Sequence, residues 1–398
     1  MTTLPGVTAA DRRSRLARRH LLTAATRAAS AQEVAHALTG LHATDPATVF
    51  LAAAARMRAP TVAAIDAALY DVPAGPGAEP DLARVRCMRR TMFVVPAALA
   101  PALWHATVKS NDPHRADATA KLRETLGWDE RRYADVERAL LDALAARGEA
   151  SAAELAADVP DLREQFVVNP GKSYASRQRA SSPVLGVLAA EGRVRRSRPV
   201  GSWTSAQFRW APARPLPPLP AAEARAELAR RYLAAFGPVT VDDLKWWTGW
   251  TLTAARAALA ATAAQAVDID EGTGYVLPDD VDPLPAAAPE AALLPGLDPT
   301  AMGWRHRDWY LDPAHTPELF DRNGNIGPTV WWDGRVIGAW SQAPDGHVRH
   351  HLLDDPGREA RTAVEEAIGR LTAFLDGTRV TPCYRTPLER RLSGGRSR

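Results

Sequence analysis

LARVRCMRRTMFVVP, Leu82 to Pro96, is the stretch whose reading decides the architecture. Its strand-favouring residues, Val85, Phe93, Val94 and Val95 among them, predict two strands of a hairpin. Helical patterns precede it. The first runs from Asp11 to about Ala29. The second, SAQEVAHALTG, opens on a Ser30/Glu33 capping box and closes at Gly40, placed as a C′ glycine. The third, DPATVFLAAAARM, has Asp45 as N-cap and Pro46 at its first position. TVAAIDAALY and a Pro/Gly-rich joint, DVPAGPGAEPD, then lead into the hairpin. Three helices followed by a hairpin is the order of a winged helix.

The order recurs twice. DVERALLDALAARG carries apolar residues at Val136, Leu140, Leu141 and Leu144, one face of a helix. EASAAELAADV is a short helix capped by Ser151, and SYASRQRASSPVLGVLAAEG reads as a longer third helix ending at Gly192. RVRRSRPVGSWTSAQFRW follows as a wing turning at Pro199–Gly201. A Pro-rich linker, APARPLPPLPAAE, separates this unit from the next. There AAEARAELARRYLAAFG, a helix capped by Thr240, TLTAARAALAATAA and the hairpin AVDIDEGTGYVLP repeat the pattern. The tail differs: GPTVWWDGRVIGAWSQAPDGHVRHHLL alternates as a small antiparallel sheet, and DPGREARTAVEEAIGRLTAFLDG reads as a helix covering it. The final RRLSGGRSR is expected to fray. The fold class is therefore α+β and mainly α. Winged-helix units are expected at residues 11–115, 116–215 and 216–285, with a β-rich element and helix at 286–390.

Composition agrees with a multidomain globular protein. The chain has 398 residues, 46% hydrophobic and 24% charged, enough for two to four domains. The net charge is only +3, so clusters of charge matter more than the total. Cys87 and Cys383 are too few for a disulfide framework or a thiolate metal site. The N-terminal stretch has no signal-peptide core, and no apolar run is long enough to span a membrane. A soluble, cytoplasmic monomer without a metal is the expectation.

A winged helix offers its third helix and its wing to DNA. In the second unit both are basic. Arg177 and Arg179 fall at the expected start of the third helix, where phosphate is favoured. Arg193, Arg195, Arg196 and Arg198 load the wing beside Trp203. Such a cluster binds duplex DNA by releasing counterions; the competing reading is a solvated charged face. Trp246 and Trp247 read as packing rather than base-stacking groups. Arg305, His306 and Arg307 are either phosphate contacts or a solvated loop. Asp321–Asn325 reads as a turn, with Arg322 and Asn323 as candidate contacts to DNA. His347, His350 and His351 lack ligand spacing and read as a surface strand.

Four segments in order, GLHATDPATVFLAAAARM, FGPVTVDDLKWWTGWT, LLPGLDPTAMGWRHRD and LFDRNGNIGPTVWWDGRVIGAW, resemble the AlkZ-like winged-helix DNA glycosylases, a family related to the YcaQ-type crosslink glycosylases. The resemblance runs from about Arg12 to Trp340. It implies three winged helices in a C shape around duplex DNA, excision of bulky or N7-alkylated purines, and no metal or organic cofactor. The family's signature is Gln-x-Gln or Gln-x-Asp; the matching positions here are His42 and Thr44.

The chemistry implied is water attack on the anomeric carbon through an oxocarbenium-like state. A neutral His42 can take the proton of that water, and a helix N-terminus nearby would lower its pKa. Thr44 can orient the water but carries no charge. Asp45 is a further candidate, though Asp-Pro before a helix is a cap signature. Against the catalytic reading stands a structural joint, and against an enzyme stands a DNA-binding or lesion-binding protein that does not cut.

Overall fold

The computed structural model describes residues 4–73, 79–108, 112–172 and 175–394; the middle of the Pro/Gly joint, Ser173, Tyr174 and the last four residues lie outside it. The fold is a mixture of helices and small antiparallel sheets, divided into two compact units. One comprises residues 1–107 and 219–398, the other residues 108–218. The second covers the segment expected at 116–215 with a few residues from each neighbouring segment; the rest of the other three expected segments lies in the first.

The chain opens with α1 (Ala9–Arg19), capped by a Thr8/Asp11 capping box. This helix stops ten residues short of its expected end at Ala29, because Leu21 takes a left-handed φ of 57°. The carbonyl of His20, which would have continued the helix, instead accepts from buried Arg56 at 3.0 Å. Next come α2 (Ala31–Ala37), β1 (Leu41–His42), α3 (Pro46–Ala54) and α4 (Val62–Tyr70). The Leu82–Pro96 stretch is the hairpin expected of it, β2 (Leu82–Arg86) and β3 (Met92–Pro96). β1 adds on the other side of β3, giving the order β1-β3-β2. α5 (Ala100–Thr107) follows.

The 108–218 unit begins with α6 (Asp112–Leu126), α7 (Glu130–Arg147), the two-residue β4 (Ala150–Ser151) and α8 (Ala152–Asp158). A hairpin then appears where a helix was expected: β5 (Gln165–Val168) pairs with β6 (Ser176–Arg179), and only then does α9 (Ser181–Ala190) begin. Arg177 and Arg179 therefore sit on a strand, not at a helix start. Four exposed polar residues in a row, Ser176–Arg179, make no apolar stripe for a helix to bury, while Val167 and Phe166 supply the opposing strand. The basic hairpin is as expected, β7 (Val194–Pro199) against β8 (Phe208–Pro212). Leu140, Leu144, Leu155, Val184 and Leu188 fill this unit's core.

Back in the larger unit, α10 (Ala221–Phe236), α11 (Val241–Thr248) and α12 (Leu252–Ala261) precede the hairpin β9 (Gln265–Ile269) and β10 (Gly272–Val276). α11 starts on a Thr240/Asp243 capping box and ends at Gly249, left-handed at φ 76°. β11 (Ala291–Leu294), the short α13 (Thr316–Leu319), β12 (Thr329–Trp332), β13 (Arg335–Gln342) and β14 (Val348–Leu352) follow. The four strands form an antiparallel sheet in the order β11-β12-β13-β14. Gly338 lets β14 come close: a Cβ there would meet the His351 carbonyl oxygen at 2.1 Å. α14 (Gly357–Leu375) turns Ala360, Val364 and Ala367 inward, and Arg370 on it donates to the Ala291 carbonyl of β11 at 3.3 Å. A short α15 (Pro387–Leu392) orders Arg390–Leu392, which had been expected to fray. No helix among the described residues is long and apolar enough to cross a membrane.

Candidate active site

His42 reaches its position through two residues of unusual backbone. Thr39 follows α2 at φ 57°, and Gly40 follows at φ 125°. A Cβ at Gly40 would meet Val95 Cγ1 at 2.9 Å and the Val94 carbonyl oxygen at 3.1 Å. The left-handed residue that ends α2 is thus Thr39, one position before the expected glycine; Gly40 serves the close approach to β3. The Thr39 hydroxyl donates to the Arg231 carbonyl at 3.1 Å, which helps hold that backbone. β1 then pairs Leu41 with Val94 and His42 with Phe93, and the Ala43 amide donates to the Met92 carbonyl at 2.8 Å.

The imidazole of His42 lies edge-on to Phe93, ring centroids 5.2 Å apart, and is 5% exposed. Its Nδ1 is buried and has no hydrogen-bond partner among the described residues. Burial first, and the positive charge of Arg89 second, push its pKa down to about 4. The ring is therefore neutral at pH 7 and offers a lone pair. The direction is the one expected, but burial and Arg89 produce it.

Thr44 is half-buried at the bend between β1 and α3. Asp45 is committed to structure: one carboxylate oxygen accepts from the Ala47 amide at 3.1 Å, the other from the Cys383 amide at 3.0 Å. It caps α3 and ties the C-terminal segment to the helix start. Both of its oxygens are thus occupied by backbone amides.

The segments quoted above meet one another. The Thr48 hydroxyl donates to the Gly296 carbonyl at 3.1 Å. Arg56, fully buried, forms a two-pronged pair with Asp298 at 2.9 and 2.6 Å, and its Nη2 also reaches the Thr300 hydroxyl at 2.8 Å. His20 completes this network, with Nδ1 2.8 Å from the Thr300 hydroxyl and Nε2 3.1 Å from the Ala235 carbonyl. Asp243 of α11 accepts from the Arg305 and His306 amides at 2.8 and 3.0 Å. Buried charge is tolerated here because each partner is paired and hydrogen-bonded. The result ties α3 and α11 to the Leu293–Asp308 segment, and α3 begins four residues after His42.

One participant was not singled out from sequence: Arg89, in the β2–β3 turn. It stands over the Trp246 ring, its Cζ 4.1 Å from the centroid, and Arg307 stands over the same ring at 4.9 Å. The repeated Arg-Arg of MRRT was the available signal, but only the fold carries that turn to α11. Trp247 is buried, stacked on Tyr232 at 4.6 Å, whereas Trp246 is partly exposed beneath the two arginines.

The other candidates are dispersed. In the 108–218 unit Arg177 and Arg179 are exposed on one face of β6. Arg193 is tied to Glu137, which also pairs with Arg115 at 2.8 Å. Arg196 lies over Phe208 and Trp210 at 5.2 and 5.8 Å, Arg195 is half-buried on the same strand, and Arg198 is exposed. Trp203 is buried, so its ring packs inside the unit instead of facing a ligand. In the larger unit Arg322 and Asn323 are exposed on a turn closed by Asp321, which accepts from the Asn323 and Asn325 amides at 2.8 and 2.9 Å. His350 and His351 lie on β14, His350 beside Glu365 at 3.8 Å, and no group that could hold a metal occurs among the described residues.

Comparison with known proteins agrees with this frame. Residues 34–374 match the family model described as DNA glycosylase AlkZ-like. An interstrand DNA cross-link repair glycosylase from Streptomyces sahachiroi is 29% identical over 126 residues, which is 30% of this chain and 34% of that relative. The solved structure of the Streptomyces sahachiroi DNA glycosylase AlkZ superposes with a TM-score of 0.67 at 18% identity, covering 92% of this chain and 97% of that one.

Proposed function

The chain belongs to the AlkZ-like DNA glycosylase family, and we propose that it is a monofunctional glycosylase removing N7-alkylated or bulky purine adducts from duplex DNA. The observation that carries this reading is His42: neutral, buried, with an unpaired Nδ1, in a frame built by the family's own segments. Alkylation at N7 makes the purine cationic and weakens its bond to C1′. The N9–C1′ bond breaks, leaving an oxocarbenium-like sugar and a neutral base. A water oxygen bonds to C1′, and its proton passes to the His42 ring. Thr44, at the adjoining bend, orients that water by its hydroxyl. No metal or organic cofactor enters these steps.

DNA is the partner in this reading. Winged-helix units supply phosphate contacts, Arg177, Arg179, Arg195, Arg196 and Arg198 from the 108–218 unit and, separately, Arg322 and Asn323 from the larger one. Arg193 contributes less, since carboxylates already neutralise it.

The test is base release from a duplex carrying one N7-methylguanine, and from duplexes with bulkier adducts. The expected product is free base plus an intact strand with an abasic site. A second reading is favoured by one observation: His42 and Thr44 stand where the family has Gln-x-Gln or Gln-x-Asp. On that reading the protein binds lesions without cutting, and tight, salt-sensitive binding with no base released from any of these substrates would select it.

A further inference from the structure

We propose that Arg89 and Arg307, standing over the Trp246 indole beside His42, grip the phosphodiester backbone of the strand that carries the reacting nucleotide. The inference rests on the reading of this protein as one that acts on DNA.

Both guanidiniums are held over one ring, so the two charges lie within about 9 Å of each other. Neither forms an ion pair among the described residues. The contrast with their neighbours is sharp: Arg12 is paired with Glu271 at 2.6 Å, Arg15 with Asp280 at 2.5 Å and Arg56 with Asp298 at 2.6 Å. Arg89 and Arg307 are partly buried where a carboxylate would be expected, yet Arg89 meets the positive charge of Arg307, and Arg307 meets the Trp246 and Phe320 rings and the Tyr310 hydroxyl. Arg307 Nε is buried without a partner among the described residues. The turn that presents Arg89 is itself costly, with Arg89 at φ 51° and Arg90 at φ 63°, two side-chain-bearing residues in succession in the left-handed region. Arg89 also packs against Gly249, where a Cβ would come within 3.4 Å of its Cγ. The pair is cationic, partly open and without an ion-pair partner among the described residues. A planar guanidinium fork suits phosphate oxygens, and an extended polyanion passing His42 must place phosphates near the nucleotide being processed.

Equilibrium binding to a short duplex, measured over a range of salt concentrations, tests this independently of any base release. Each phosphate contact contributes about 0.9 to the slope of log K against log salt. Arg89→Gln/Arg307→Gln should flatten the slope by at least that amount and weaken binding about tenfold at moderate salt. Arg89→Lys/Arg307→Lys, which keeps both charges, should stay close to the parent slope and guards against misfolding of the glutamine variant. Single methylphosphonate substitutions in the DNA provide the second arm. One or two neighbouring positions should weaken the parent and leave the glutamine variant unaffected. Equal slopes for parent and glutamine variant, with a uniform methylphosphonate profile, overturn the grip while leaving base release untouched. Flattening in a protein that releases no base supports the grip and removes the glycosylase reading. Failure of the parent to bind DNA at low salt removes both.

Discussion

At the scale of single residues, His42 and Asp45 are three positions apart and have opposite characters. Burial withdraws His42 from water and leaves its Nδ1 unpaired, whereas Asp45 spends both oxygens on backbone amides. Replacing His42 by Ala should slow base release by about 100-fold or more, the usual contribution of a positioned general base. His42→Gln should retain more, since an amide can hold the water but not take its proton. Because burial and Arg89 lower the His42 pKa to about 4, the proton acceptor is available above that value and lost below it. The acid limb of kcat/KM, which reports the free enzyme, should fall near pH 4 and vanish from the profile of His42→Gln. A limb near pH 6.5 in the parent would mean that the ring is not held in this environment when it acts. Asp45→Asn should keep the cap and the activity while giving up the bond from the Cys383 amide, since its NH2 cannot accept. Asp45→Ala should lose about 1 kcal/mol of stability in a denaturant melt, and loss of base release in Asp45→Asn without loss of stability would make the carboxylate a chemical group.

At the scale of elements, the local signals in the sequence did most of their work where one residue type has one use. The Ser30, Asp45, Ser151 and Thr240 caps, the Leu82–Pro96 hairpin, the basic hairpin and the C-terminal sheet with α14 all stand where local chemistry puts them. The failures have a common cause in tertiary partners. α1 ends where the His20 carbonyl is taken by Arg56, a residue 36 positions away. β6 forms because β5 offers it a partner, which no helix-period count within Ser173–Gly192 contains. His42 and Thr44 were legible as candidates from their place in a motif. Arg89 was not, because its neighbours Trp246 and Arg307 are distant in sequence. The Arg56–Asp298 pair joins two of those motifs and is fully buried. Arg56→Met should therefore cost about 3–5 kcal/mol by stranding the Asp298 charge, read as a lower unfolding midpoint; a loss under 1 kcal/mol would show that the network does not hold the frame together.

At the scale of the whole molecule, two buried histidines link stability to pH. Burial, helped by Arg56 and Arg19, lowers the His20 pKa to about 3, as burial and Arg89 lower that of His42 to about 4. The unfolded chain takes up these protons near pH 6.5, so the native state is favoured fully above that pH. It loses about 1.4 kcal/mol per pH unit for each histidine as pH falls toward the native values. Unfolding free energies between pH 6.5 and 4 should show a shallower slope for His42→Gln than for the parent, and equal slopes would contradict a neutral, buried His42. The fold likeness to the solved DNA glycosylase AlkZ spans nearly the whole chain, and the proposed chemistry rests on His42. The most direct measurement is therefore single-turnover base release from N7-methylguanine duplex by the parent and by His42→Ala, with DNA affinity measured in parallel. A drop of about 100-fold in rate at unchanged affinity is the predicted result; equal rates in the two proteins would contradict the assignment of His42 as the proton acceptor.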